Sequence, residues 1–463
     1  MSPIGVAELT ARLGRWSAGR GPLYLLLAGR LRALIDDGDL PPGTGLPTDR
    51  ALAAGLSTGR TTVVAAYDLL RAEGRLVRRQ GSGTWVAGAA PGPRAATEPT
   101  SSPVFLHLLE QPDHVTQFAC AGPLTAPAAV PDAYRAALED LDGLGYHPAG
   151  HPRLRQALAD RYTARGLPTE AGQILVTTGG QQALSLLTRV LVTPGDEVVV
   201  QAPTYPGLLE VLREHAAVPY PADDFVAAAG RRAAFAYLIA VCHNPTGATL
   251  PVARRRAIAA AYASAGVPLI VDDVLAELGF AGPEPVLPGV ITVGSLSKVV
   301  WGGLRVGWVR ADTALIGRLA RVKAVHDLGG GVVDQLAATY LVADLTRLAA
   351  ARVRELRRQH DHLCGLLRDR LPEWTFEEAA GGQTLWVRIP RGDSVSFAQV
   401  ALRHGVAVLP GTQLDASGGG GDRLRLPFVA GPADLTATVS ALAGAWHGYR
   451  AGPAVAALPA IAV

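Results

Sequence analysis

The stretch Ser295-Leu296-Ser297-Lys298, with Arg305 seven residues beyond the lysine, gathers an amine, two hydroxyls and a guanidinium. A lysine whose amine is partly desolvated can condense with an aldehyde, and serine and arginine beside it suit a phosphate. Lysine is scarce: Lys298 and Lys323 are the only two, against 41 arginines, which either marks a retained function or reflects a general bias towards arginine. Other candidates precede it. Thr178-Gly179-Gly180-Gln181-Gln182 is a glycine turn leading into a helical pattern, where free N–H groups can meet an anion, although glycines before helices are common. Tyr205 offers a ring for stacking or for simple packing, and Asn244, in Asn244-Pro245-Thr246-Gly247, offers an amide held by a tight turn. Asp272 and Asp273 end an apolar run, so at least one of them needs a polar partner.

These groups need a frame that brings distant residues together. Residues 174–177, 197–201, 237–242, 269–271 and 291–294 are short, apolar and each followed by a turn or helix signal, which predicts a parallel α/β sheet. Ligands of such sheets bind at the carboxyl ends of the strands, where the candidates all fall.

The N-terminal fifth has a different pattern. Leu23, Leu27, Leu31, Leu34 and Ile35 recur at helical spacing between Pro22 and Gly38, and Thr48 can cap a short helix carrying Leu52 and Leu56. A third periodic run opens at Arg60 with Val63, Tyr67 and Leu70 on one face, and residues 76–86 form two short strands about Gly81-Ser82-Gly83. Three helices and a hairpin make a winged helix-turn-helix. Residues 1–87 hold 11 arginines against 7 acidic residues, a net of +4, while the remainder sums to −1. The basic excess therefore predicts an anionic partner for this segment alone. A tract of Ala, Gly, Pro, Ser and Thr then supplies a flexible tether.

Length and composition bound the rest. At 463 residues the chain should hold more than one domain. Cys120, Cys242 and Cys364 are odd in number and far apart, which argues against a disulfide framework or a metal site. The start lacks a charged region followed by an apolar core, and no apolar run reaches membrane-spanning length, so a cytoplasmic protein with no membrane partner is expected.

Two resemblances sharpen these expectations. Leu40-Pro41-Pro42-Gly43, Leu46-Pro47-Thr48-x-Arg50, Arg60-Thr61-Thr62-Val63, Ala72-Glu73-Gly74 and Gly81-Ser82-Gly83-Thr84 resemble the DNA-binding domain of GntR-type regulators. The resemblance implies a third helix in the major groove and a wing on the backbone. It assigns contacts with double-stranded DNA to Arg50, Thr58, Arg60, Thr61 and Thr62, and to Arg78, Gly81, Ser82 and Gly83 at the wing. Thr58-Gly59 replaces the small apolar residue and serine usual before the arginine, which removes a serine cap at a cost of only a few tenths of a kcal/mol.

The ordered set Gly180-Gln181, Tyr205, Asn244-Pro245-x-Gly247, Asp272, Ser295-x-Ser297-Lys298, Arg305 and Arg425 resembles fold type I pyridoxal-phosphate aminotransferases. The resemblance implies that Lys298 is the catalytic lysine and forms the internal aldimine with pyridoxal 5'-phosphate. Asp272 would then pair with the ring nitrogen, Asn244 with the ring oxygen and Tyr205 with the ring face. Ser295, Arg305 and the amides of Gly180 and Gln181 would hold the phosphate, with Ser297 in the same cofactor-binding set. Arg425 would grip a ligand carboxylate, and Tyr146 would reach the phosphate of the neighbouring subunit of a homodimer. Val274 and Leu275 stand where the family places a tyrosine whose hydroxyl reaches the cofactor, and Gln383 and Thr384 replace bulkier residues on the ligand side, where they would set ligand choice.

Together the halves resemble the MocR group of transcriptional regulators. The expected architecture is multidomain: a small α+β winged helix-turn-helix in residues 1–87, a linker in 88–117, an α/β fold type I aminotransferase-like domain in 118–450 and a tail in 451–463. The resemblance implies a DNA-binding regulator that senses pyridoxal phosphate, with or without a small amino compound. The alternative is an active aminotransferase with an accessory DNA-binding domain.

Overall fold

The computed structural model describes residues 3–17, 22–79, 83–87 and 115–450. Gly81 and Ser82 of the expected wing, most of the expected linker and the tail lie outside the described residues.

The N-terminal unit contains one helix more than the sequence pattern predicts. This is α1 (Val6–Leu13), whose Leu9 and Leu13 are fully buried. α2 (Leu23–Asp36) begins directly after Pro22 and turns Leu27, Leu31 and Leu34 into the core at i, i+4 and i+7. α3 (Asp49–Gly55) is capped as expected, the Thr48 hydroxyl accepting from the Ala51 amide at 3.2 Å. α4 (Arg60–Ala72) follows Gly59, which caps it without a side chain, and buries Val63, Ala66, Tyr67 and Leu70. The Tyr67 hydroxyl donates to the Pro47 carbonyl at 3.0 Å, tying α4 to the turn before α3. β1 (Gly45–Leu46), β2 (Leu76–Arg79) and β3 (Gly83–Val86) complete a sheet of order β1-β3-β2.

After β4 (Thr116–Phe118) come the seven strands of the large sheet: β5 (Ile174–Thr177), β6 (Glu197–Val200), β7 (Val218–Pro221), β8 (Phe235–Leu238), β9 (Leu269–Asp272), β10 (Ile291–Ser295) and β11 (Gly307–Arg310). Their order is β5-β11-β10-β9-β8-β6-β7, parallel except for β11, which runs antiparallel to both neighbours. Two expectations change here. The sheet is mixed rather than purely parallel, and the strand expected at 237–242 lies at 235–238. It stops because the Ile239 amide leaves the ladder and donates to the Gln201 side chain at 2.7 Å.

A second sheet takes β12 (Thr375–Phe376), β13 (Thr384–Arg388), β14 (Val406–Pro410) and β15 (Arg423–Pro427) in the order β12-β13-β15-β14-β4. Thr116 and Gln117, expected within the linker, thus sit in a strand paired in parallel with β14. Behind this sheet, Trp374, Phe397, Trp446 and Tyr449 pack with ring centroids 5.4–5.6 Å apart, most of them edge to face. Among the described residues no helix is long and apolar enough to cross a membrane.

Candidate functional site

The carboxyl ends of β8, β9 and β10 and the start of the helix Gly180–Leu191 surround a cavity of about 160 Å³. All nine residues singled out for the cofactor within one chain line it: Gly180, Gln181, Tyr205, Asn244, Asp272, Ser295, Ser297, Lys298 and Arg305. Arg425 stands one residue behind, donating to the Asn244 side-chain oxygen at 3.2 Å. Tyr146 is not in the cavity; it is 62% exposed on the surface of the same domain.

Lys298 is half-buried as a residue, but its head group is deep in the cavity, where it donates to the Ala121 carbonyl. Burial pushes its pKa below the usual lysine range, and the nearby Arg425 and Arg305 act in the same direction while Cys120 and Asp272 oppose them. A lowered pKa leaves more neutral amine for condensation near neutral pH. Gln383 donates to the Lys298 carbonyl at 3.2 Å, and Thr384 donates to the Pro245 carbonyl at 2.9 Å. These two residues, expected to set ligand choice, hold the backbones that carry Lys298 and Asn244.

Asp272 ends β9 and is 8% exposed. One carboxylate oxygen accepts from the Val274 amide at 2.9 Å, the other from the Tyr237 hydroxyl at 2.5 Å. Burial raises the Asp272 pKa, against these hydrogen bonds and the charge of Lys298. A cationic ring nitrogen would supply the positive charge that the buried carboxylate lacks. Tyr237, fully buried on β8, was not singled out from the sequence, because an aromatic residue in an apolar strand carries no sign of a polar partner.

The anion end is built from the backbone. Gly179 has φ +119, and a side chain there would stand 3.2 Å from the Arg305 guanidinium, so the turn is open only to glycine. The first amides of the helix that follows have no partners within that helix, and its first two residues, Gly180 and Gln181, line the cavity, with the helix dipole behind them. The Ser295 hydroxyl donates to the Val306 carbonyl at 3.1 Å and accepts from the Ser297 hydroxyl at 2.8 Å, which holds the hydroxyl pair at the mouth of β10. The Tyr205 hydroxyl donates to Gln181 at 3.1 Å, and Gln181 in turn donates to the Gly207 carbonyl at 2.9 Å, fixing the ring over the cavity. Val274 lies against Gly180 and brings no hydroxyl to the wall.

Arg425 on β15 is 5% exposed. Its Nη2 donates to the Ala119 carbonyl at 2.5 Å, while Nε has no partner among the described residues. Burial pushes its pKa down to about 10, which still leaves it a cation at neutral pH. A buried cation facing only neutral acceptors is a strong site for a carboxylate.

His243, beside Asn244, is buried with Nδ1 2.9 Å from the Thr246 hydroxyl, and burial pushes its pKa down to about 4. The unfolded chain, with a histidine pKa near 6.5, therefore binds a proton that the folded chain refuses. Stability from this residue is complete above about pH 6.5 and is lost as pH falls towards 4, by on the order of 3 kcal/mol. Urea midpoints measured from pH 7 to 4 should fall more steeply in wild type than in His243→Gln; equal slopes would refute this assignment.

On the N-terminal unit, Arg50, Arg60, Thr61 and Arg78 are exposed, and Thr58 and Thr62 are partly so. Gly83 opens β3 with φ +97. Arg60, 63% exposed at the start of α4, donates through Nε to Asp49 at 2.6 Å.

The fold and the site define a class: a fold type I aminotransferase domain joined to a winged helix-turn-helix. Residues 121–442 match the aminotransferase class I and II family, and residues 23–86 match the gntR family of bacterial regulatory proteins. The chain therefore belongs to the GntR-type transcriptional regulators that carry an aminotransferase class I and II domain, the MocR type. It is 31% identical over 375 residues to the HTH-type pyridoxine biosynthesis transcriptional regulator PdxR of Corynebacterium glutamicum, spanning 74% of this chain and 78% of that one. It is 29% identical over 411 residues to the probable rhizopine catabolism regulatory protein MocR of Rhizobium meliloti, spanning 80% and 82%. Among solved structures, the α-aminoadipate aminotransferase LysN of Thermus thermophilus, complexed with N-(5'-phosphopyridoxyl)-L-leucine, matches with a TM-score of 0.65 and 28% identity over 73% of this chain and 93% of that one.

Proposed function

We propose that this regulator binds double-stranded DNA as a homodimer and that pyridoxal 5'-phosphate, with or without a small amino acid, is its signal. The observation that carries the reading is the buried amine of Lys298, set between a carboxylate, an anion cradle and a carboxylate-seeking arginine in a chain that also bears a winged helix. The cofactor supplies an aldehyde and a cationic ring that withdraws electrons. Everything else falls to the chain. Lys298 offers the amine; Asp272, steadied by Tyr237 and the Val274 amide, keeps a proton on the ring nitrogen; Asn244 donates to the ring oxygen; Tyr205 covers one face. Arg305, Ser295, Ser297 and the amides at Gly180 and Gln181 take the phosphate.

Exposed Leu141, Leu144 and Tyr146, with Val325 and Leu328, give this domain an apolar surface suited to a second copy, and Tyr146 is then free to reach the partner's cavity. Transamination is the weaker reading, since Val274 and Leu275 bring no hydroxyl to assist proton movement. The test is spectroscopic: pyridoxal phosphate should give a bound absorption band that shifts with some member of an amino-acid panel, without sustained turnover. In Arg425→Leu the cofactor band should persist while the amino-acid response weakens by roughly a hundredfold or more, about 3 kcal/mol for one lost partner of a buried charge pair. An undiminished response in that variant would remove Arg425 from ligand binding.

A further inference from the structure

The segment from residue 115 to 122 touches both the cavity and the DNA-binding unit. At its inner end, the Ala121 carbonyl accepts from Lys298 and the Ala119 carbonyl accepts from Arg425. Gly122, the next residue, is close to the amine as well: a Cβ built there would lie in ordinary contact with Nζ, at 3.6 Å. At its outer end, β4 pairs with β14, and the Gln117 side chain accepts from Arg15 at 2.8 Å, just beyond α1. Three further bonds seat the DNA-binding unit on the same face, independently of the segment. Gln399 donates to the Gly14 carbonyl at 3.4 Å, and Arg403 donates to the carbonyls of Leu56 at 3.2 Å and Ser57 at 2.7 Å, at the end of α3 and just ahead of the recognition helix α4.

The seam itself is loosely filled. A cavity of about 230 Å³ lies between α1 on one side and β14 with the helix Ser394–Arg403 on the other, bordered by Thr10, Gly14, Arg15, Ala119 and Gln399. Close-packed seams resist displacement, whereas this one leaves α1 space to shift.

We propose that residues 115–122 form a ligand-operated strap that reports occupancy of the cavity to the DNA-binding unit. This rests on the reading of Lys298 and Arg425 given above. The two side chains that clamp the strap are the two that the ligands need. When the amine condenses with an aldehyde, a carbon–nitrogen bond forms and water leaves, and the nitrogen turns from Ala121 to the cofactor. When a carboxylate binds, the Arg425 fork turns from Ala119 to it. Each event removes one clamp, and the freed strap moves Gln117, and through Arg15 the end of α1. Aldehyde and carboxylate thus act on different carbonyls of one short segment, so a cofactor alone and a cofactor with an amino acid give distinguishable responses.

Deuterium exchange on the full chain, with and without pyridoxal phosphate, tests this alongside the absorption spectrum. In wild type, a bound absorption band should be accompanied by faster exchange, by at least about threefold, in residues 115–122 and also in 6–15. In Gln117→Ala and in Arg15→Ala the band and the strap response should remain while the response in 6–15 disappears. If no band forms, the cofactor reading and the strap both fail. If the band forms and exchange in 115–122 is unchanged, or if 6–15 responds equally in both variants, the cofactor reading stands and the strap is wrong.

Discussion

Lys298→Ala should lose the absorption band that pyridoxal phosphate gives with wild type, at every cofactor concentration. The amine is the nucleophile, and the only other lysine, Lys323, is 1% exposed and held by Asp327 at 2.7 Å and by the Gly329 carbonyl, so it cannot substitute. The anion cradle and the Asp272 pair survive the change, because neither relies on the lysine for its hydrogen bonds. Residual binding should therefore be noncovalent and weaker by at least roughly a hundredfold, about 3 kcal/mol. Equilibrium dialysis separates this outcome from unfolding: a folded variant still binds at higher cofactor concentration. A retained band would show that another amine carries the adduct, and the assignment of Lys298 would fall.

The second large effect is at the other end of the chain. Arg60→Ala should weaken binding of target DNA by about 1–3 kcal/mol, roughly 5- to 150-fold, if the side chain reads a base edge. The geometry favours that role. Asp49 takes Nε at 2.6 Å and leaves the terminal nitrogens of an exposed guanidinium free to fork onto a guanine. The pairing also holds the Asp49 carboxyl below its usual range, chiefly through the Arg60 hydrogen bond. Arg78 on β2 lies at the wing, and Arg78→Ala should instead lower the slope of log affinity against log salt by about one, across all sequences. If Arg60→Ala leaves both affinity and salt slope unchanged, α4 does not read DNA through this residue.

Residues that act through their own type and through local spacing were legible in the sequence. Asp272 ends β9, Lys298 and Asn244 follow β10 and β8 within a few residues, Arg305 just precedes β11, and the cavity gathers all four. The α2 and α4 cores follow from helical periodicity alone. What stayed hidden depends on distant partners. Tyr237 looks like strand filler until β8 is laid beside β9 and its hydroxyl meets Asp272. β11 carries no mark of its direction, which is set by its pairing between β5 and β10. Thr116 and Gln117 follow a low-complexity tether, and they become a strand only because β14, almost 300 residues later, offers an edge. Gln383 and Thr384 showed their polarity but not its purpose, since their acceptors are backbone carbonyls 85 and 139 residues away.

The proposed sensing requires that occupancy at Lys298 alter DNA binding. It is tested most directly by measuring the affinity of the purified protein for the DNA upstream of its own coding sequence, with and without pyridoxal phosphate, for wild type and Lys298→Ala. Affinity should change by at least about fivefold in wild type, the lower end of ordinary coupling energies, and not at all in Lys298→Ala. Equal affinities in wild type with and without cofactor, or a shift that persists in Lys298→Ala, would contradict it.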